Sequence, residues 1–414
     1  MRILLLTDRY PPEARSSATL FQELAEALAK RGHEVCVLTK MPQGYVPTLD
    51  DGQPAGHLPF AEVRGGVRVV RLRGLSSMSR SLVVRAVDQM VLGMLFTANL
   101  WRCGRPDAVI VYSPPLPLVL VAAILTRLRG VPYVLNLHDL YPRTAVQLGV
   151  LKNSLLIWGA KLFERIAYRN AAMIVVPADG SRRVLIDENH VDPGKLRVIP
   201  NWVDVHAVVP GPKENSFRQK HGLLGAFVVS YAGVMGFAQD LTTIIQCARL
   251  MVSNQAMVFL LVGDGVQLPQ WKVLAERLPN VRFLGPVAKD RYFDLLRASD
   301  VCLVPLDGAL SSPAIPGKIQ SIMAVGRPIA AIVPTEGEAA RVVNESRSGW
   351  VVVPGDVQAL RSVLDRAIQH PEVGEELGRN GRRFAEQHYA IEYAIDGYEE
   401  TLVKVRSEFD RVQR

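Results

Sequence analysis

The sequence is short of the residues that would declare its class at a glance. Its 414 residues include only four cysteines, Cys36, Cys103, Cys247 and Cys302, far apart and without a Cys-x-x-Cys pair. That spacing speaks against a disulfide framework and fits buried thiols in a reducing compartment. Charged residues make up 21% of the chain and hydrophobic ones 49%, with 32 glycines and 27 prolines spread along it, so disorder, collagen and coiled coil are excluded. The short apolar run after Met1 is no signal-peptide core, and folding is expected to begin at the first strand. Asp-x-Asp, Gly-x-Ser-x-Gly, His-Glu-x-x-His and Gly-x-x-x-x-Gly-Lys-Ser/Thr are all missing. The loop at 11–19 also lacks the Gly-x-Gly-x-x-Gly of a dehydrogenase.

No run reads as a membrane span. The 19 uncharged residues between Asp107 and Arg127 approach the ~20 that a spanning helix needs, but Pro114, Pro115 and Pro117 interrupt them. They read instead as a buried strand at 108–112, a proline-rich turn and a short helix from Leu118. A second uncharged stretch, 89–101, is 13 residues long and is flanked by Arg80, Arg85, Arg102 and Arg105. Too short to span, it has the pattern of an amphipathic surface helix, with an ordinary core helix as the alternative.

What the chain does carry is length and unevenly placed charge. At ~150 residues per domain, its length predicts two domains. The net charge of +8 is concentrated: residues 1–200 hold 25 Lys and Arg against 16 Asp and Glu, and residues 201–414 hold 23 against 24. A basic first half admits nucleic acid, an anionic membrane or a polyanionic ligand as partner. No basic stretch is interleaved with aromatics and no nucleic-acid motif occurs, so nucleic acid is not expected.

Strand and helix signals alternate throughout. Apolar runs at 3–7, 35–39, 69–72, 108–112, 133–137 and 173–177 predict a first parallel sheet covered by helices. A second series follows at 227–231, 257–262, 281–284, 301–305 and 329–332, with helical stretches at 241–252 and 268–277 between its strands. The turn-rich 200–204 and 210–212 separate the two, and 375–414 reads as a long charged helical region. Doubly wound α/β domains bind ligands at the carboxyl ends of their strands.

Particular residues at those ends suggest chemistry. Gly233, Val234, Met235 and Gly236 follow a strand, and a helix opens after Gln239, an arrangement whose amides could meet a phosphate. An ordinary glycine-lined turn is the alternative. Lys318 opens an apolar helix, which the helix dipole disfavours unless the lysine and the amides share a bound anion. Gly263 and the pair Pro286, Val287 end two further strands, where a ribose and base could lie. In the first half, the strand at 133–137 delivers His138 and Asp139, candidates for proton transfer or for orienting a sugar hydroxyl, with helix capping by Asp139 as the alternative.

Taken in order, these residues resemble the family 4 retaining glycosyltransferases of the GT-B fold over nearly the whole chain. Tyr10-Pro11-Pro12-Glu13, Arg31-Gly32-His33-Glu34-Val35, Asp139-Leu140-Tyr141-Pro142, Pro200-Asn201-Trp202-Val203-Asp204, Val262-Gly263-Asp264-Gly265 and Met323-Ala324-Val325-Gly326-Arg327-Pro328 carry the likeness. The match is nearest to the bacterial surface-polysaccharide and O-antigen sugar transferases. It implies an α/β protein of two doubly wound parallel-sheet domains facing each other across a cleft, with the C-terminal helix returning to the N-terminal domain. Residues 1–204 would form the acceptor-side, membrane-facing domain, 205–385 the nucleotide-sugar domain and 386–414 the C-terminal helical segment.

The resemblance further implies a nucleotide-sugar donor, in the family most often a UDP-sugar, and no metal or other cofactor. The 233 loop and Lys318 would hold the diphosphate, and Pro286 and Val287 the base. The family's Glu-x7-Glu falls on Pro313 and Ser321 here, so Ser321 or Glu338 would take the ribose. His138 and Asp139 would position the reacting sugar, with Ser16, Ser17, Tyr141 and Arg143 on the acceptor side. A polyprenyl-diphosphate-linked or saccharide acceptor, an anionic membrane surface met through Arg80, Arg85, Arg102 and Arg105, and a place on the cytoplasmic face of the membrane complete the expectation. A UDP-sugar-hydrolysing epimerase of the same fold and a non-catalytic subunit are the alternatives.

Overall fold

The structure, a computed structural model, describes residues 1–13, 16–42, 58–73, 82–310, 313 and 315–413. Among them fourteen strands form two sheets. The first contains β1 (Arg2–Leu6), β2 (Glu34–Lys40), β3 (Ala61–Arg64), β4 (Val67–Leu72), β5 (Ala108–Ser113), β6 (Tyr133–Leu137), β7 (Met173–Val176) and β8 (Leu196–Val198), in the order β3-β4-β2-β1-β5-β6-β7-β8. The second contains β9 (Phe227–Ala232), β10 (Met257–Val262), β11 (Val281–Leu284), β12 (Val301–Pro305), β13 (Ile329–Ile332) and β14 (Gly349–Val352), in the order β11-β10-β9-β12-β13-β14. β3 pairs with β4 antiparallel, and the other strand pairs of both sheets run parallel.

Parallel strands covered on both faces should be apolar without alternation, and they are: every residue of β5, β6 and β10 is buried. Helices close the faces. Ser16–Lys30, for example, turns Leu20, Phe21, Leu24, Ala25 and Leu28 inward at helical spacing. The proline-broken run at 108–126 becomes β5 and the helix Pro117–Arg129. Among the described residues no helix is long and apolar enough to cross a membrane.

The chain forms two units, Met1–Val146 with Leu151–Pro200 and Glu392–Arg414, and Asn201–Ile391 with Gln147–Val150. The boundary between the two sheets falls after Pro200, and the chain re-enters the first unit at Glu392. The long helix Ile391–Gln413 thus belongs to the first unit. It buries Ile395, Tyr398, Leu402 and Val405 and is pinned by ion pairs from Arg31 to Asp396 and Glu399 and from Arg197 to Glu400.

One expectation is overturned. Cys36 and Cys103 form a disulfide, their Cα atoms 5.7 Å apart, and only Cys247 and Cys302 are free buried thiols. Cys36 lies in β2, and Cys103 ends the short helical turn Leu100–Cys103, so residues 67 apart in sequence meet once Leu100 enters the core.

Candidate functional site

The second sheet has the strand order of a doubly wound dinucleotide-binding fold, the order reversing between β9 and β12. Ligands of such sheets lie outside the carboxyl ends at that reversal. Gly233 to Gly236 follow β9, Gly263 follows β10, Pro286 and Val287 follow β11, Lys318 and Ser321 follow β12, and Glu338 follows β13. The predicted donor-side residues therefore share one edge.

Two of the loops there cross in contact. A Cβ built on Gly263, at φ +143°, would stand 1.9 Å from the Gly233 carbonyl oxygen, and one on Gly265 would stand 2.2 Å from that of Met235. Only glycine permits this approach. The loop amides are largely committed: Gly233 N–H donates to Val262 O, Met235 N–H to Asp264 O, and Gly236 N–H to Gln239 Oε1 at 3.0 Å. The donors of Gly233, Met235 and Gly236 thus hold the loops together. At the start of the helix Leu241–Leu250, Asp240 accepts from Thr243 N–H as its cap.

The positive charge at this edge comes from Lys318. Its Nζ lies 4.0 Å from the centre of the Tyr231 ring and would be 3.2 Å from a Cβ on Gly233. The Tyr231 hydroxyl donates to Val234 O at 2.5 Å, so ring, loop and ammonium are held together. Half-buried, and without an ion pair among the described residues, the lysine has its pKa lowered by burial to about 7. A cation kept over an aromatic face without a carboxylate is arranged for an anion from outside. Tyr231 was not singled out as a functional residue in the sequence, because a strand tyrosine carries no local signal for what will stack on it.

The remaining donor-side residues have partners of their own. Ser321 is hydrogen-bonded to the half-buried Tyr292. Glu338 is buried and paired with Arg341 at 2.6 Å, which also holds Glu345 at 2.8 Å. Val287 is half-buried and Pro286 exposed.

In the first unit, β1, β5 and β6 lie side by side and their carboxyl ends carry Asp8, Ser113, and His138 with Asp139. The His138 ring lies 5.1 Å from that of Tyr112, which also packs on Phe21 and is hydrogen-bonded to Ser17. Burial lowers the His138 pKa to about 4, leaving a neutral imidazole at physiological pH. Asp139 and Ser16 are exposed and Tyr141 half-buried, whereas Arg143 is drawn to Glu188 at 2.6 Å. Sequence reasoning passed over Asp8, which is buried with its carboxyl pKa raised by burial and its Oδ1 without a hydrogen bond among the described residues. Its signal was an acid directly after a strand, the same signal that marked Asp139.

Residues 17–202 match the glycosyl transferase 4-like domain, and residues 210–370 match glycosyl transferases group 1. The chain is 28% identical over 325 residues to "Probable glycosyltransferase WbjE" of Pseudomonas aeruginosa, covering 77% of this chain and 80% of that one. It is 26% identical over 196 residues to the UDP-Gal:alpha-D-GlcNAc-diphosphoundecaprenol alpha-1,3-galactosyltransferase of Escherichia coli, covering 45% and 49%. The fold matches that of Anabaena HepE, solved with UDP and glucose, at a TM-score of 0.73 and 20% identity over 97% of this chain and 99% of that one. Two domain families in their order, on two doubly wound sheets, place the chain among the glycosyltransferases of the GT-B fold.

Proposed function

We propose that the chain is a retaining, metal-independent hexosyl or N-acetylhexosaminyl transferase. In this reading it carries a sugar from a UDP-sugar to a polyprenyl-diphosphate-linked or saccharide acceptor in cell-surface polysaccharide synthesis. The observation that carries the reading is the ammonium of Lys318 on the Tyr231 ring, beside the glycine loop at the sheet's reversal point. The name of the Escherichia coli relative supports a lipid diphosphate acceptor, and that of the HepE complex supports a UDP donor.

In the reaction the bond from the anomeric carbon to the β-phosphate oxygen breaks, and the diphosphate leaves with the electron pair. The acceptor oxygen bonds to the same face of the sugar and its proton passes to the leaving phosphate. Lys318 stabilises the charge that grows on that phosphate. His138, neutral, and Asp139 orient hydroxyls at the first sheet's edge.

The same reading places the protein on the inner face of the cytoplasmic membrane. Met94 and Trp101 are each 66% exposed, with Arg102 stacked 5.2 Å from the Trp101 ring and Arg105 exposed beyond it. Arg80 and the side chain of Arg85 lie outside the described residues.

Donor screening with UDP-, GDP- and dTDP-sugars, with and without a polyprenyl-diphosphate sugar and in the presence of a chelator, tests the proposal. UDP release should require acceptor, and the product should keep the donor's anomeric configuration by NMR. Lys318→Ala should lower turnover at least ~10-fold, about 1.4 kcal/mol. Unchanged turnover removes Lys318 from the mechanism, and free epimerised sugar made without acceptor favours the epimerase.

A further inference from the structure

The disulfide between Cys36 and Cys103 has a pocket beside it. Cys36 is 7% exposed in β2, whereas Cys103 is half-buried at the end of the turn Leu100–Cys103. The pocket, of about 310 Å³, is lined by Ala61, Arg68, Val70, Trp101, Arg102 and Gly104. Arg68 stands opposite Cys36 in the parallel register of β2 and β4, and Arg102 and Gly104 flank Cys103 along the chain. The pocket therefore borders both cysteines.

Its wall is cationic. Arg68 and Arg102 are exposed, as is Arg105 two residues on from Cys103, and none of the three has an ion-pair partner among the described residues. The Arg102 guanidinium lies 5.2 Å from the centre of the Trp101 ring, which fixes it beside the pocket. Unpaired cations on a concave wall raise the local concentration of an anion. They also favour a thiolate over a thiol, whether it belongs to a cysteine or to a small molecule. A sulfur within reach of solvent, a cationic approach and a second sulfur bonded to the first are the parts of a thiol–disulfide exchange site.

We propose that Cys36–Cys103 is an exchange site for an anionic low-molecular-weight thiol, which enters over Arg68 and Arg102 and is captured on Cys103. Its thiolate attacks Cys103 Sγ, the S–S bond breaks, and the electron pair departs on Cys36 Sγ, whose strand neighbour is Arg68. The product is a mixed disulfide on Cys103. A second thiolate attacks the captured sulfur, releases the small-molecule disulfide and leaves Cys103 as a thiolate, so two thiols are oxidised as the protein bond is reduced. The turn Leu100–Cys103 is then no longer tied to β2. None of this depends on the sugar or the acceptor that the protein serves.

The kinetics of bond opening test it, with the oxidised full chain, glutathione as the anionic thiol and 2-mercaptoethanol as the neutral one. Alkylation and mass spectrometry locate the mixed disulfide, which should form on Cys103. Compared per thiolate at low salt, glutathione should open the bond about tenfold faster. Arg68→Gln/Arg102→Gln should remove that advantage and leave the 2-mercaptoethanol rate within about twofold of the parent's. Should the double variant unfold, screening of the parent chain serves instead: roughly 0.5 M sodium chloride should cut the glutathione rate about fivefold and spare that of 2-mercaptoethanol. Equal rates for the two thiols overturn the proposal, as does a mixed disulfide on Cys36. So does a bond that opens only at the rate of global unfolding, which would make it a purely structural cross-link.

Discussion

Lys318 shows how one residue's surroundings set its task. Burial against Tyr231 disfavours its ammonium form and brings the pKa to about 7, so the free protein holds a mixture of charged and neutral lysine near physiological pH. A bound diphosphate favours the charged form. Affinity for a UDP-sugar, whose diphosphate does not titrate between about pH 6 and 9, should then be flat below pH ~7 and fall as pH rises above it. Isothermal titration at several pH values measures this, and Lys318→Met should remove the dependence. The same shift affects stability with a definite sign. Between the folded value near 7 and the unfolded ~10.4, the unfolded chain binds more protons, so Lys318 makes stability rise with pH across that window. Lys318→Met should flatten that slope and raise the unfolding midpoint at neutral pH. The sequence marked Lys318 as out of place at a helix start. It was silent on the ring beneath it, because cation and ring are 87 residues apart and meet only where β9 and β12 adjoin.

At the scale of elements, the glycines after β9 and β10 were legible but their reason was not. The 233 loop read as a phosphate site and Gly263 as the place of a ribose and base, whereas in the structure Gly263 and Gly265 make room for the neighbouring loop's backbone. Gly263→Ala should therefore destabilise the protein by at least ~2 kcal/mol in urea unfolding, through overpacking and a left-handed φ that alanine resists. Gly285, where a Cβ would meet nothing within 4 Å, should tolerate the same change within about ±0.5 kcal/mol. The central strands could be read to within two residues, since burial on both faces demands continuous apolar runs. The edges β3, β8 and β14 escaped notice: β3 exposes most of its side chains and β8 is three residues long. Gly65 and Gly66, both at positive φ between β3 and β4, were the overlooked signal, the pair that a tight hairpin turn requires.

For the whole molecule, the consequential feature is that the first unit is completed by the chain's last residues. Tyr398, Leu402 and Val405 are almost fully buried there, and Glu399 has its pKa lowered by His33 and Arg31. A chain ending at residue 391 should expose that apolar surface and aggregate, while residues 201–391 alone should remain folded and bind UDP through Lys318. Size-exclusion chromatography and calorimetry on the two fragments check both. The sequence by itself determined the class of fold, the two-domain plan and the positions of the loops that carry charge and glycine, because local periodicity and strand-end position are properties of short segments. Tertiary structure alone decided that Cys36 would meet Cys103, that Tyr231 would carry Lys318, and that Gly263 would lie against the Gly233 loop. Each of these joins residues distant along the chain, and their proximity follows from how buried strands and helices stack.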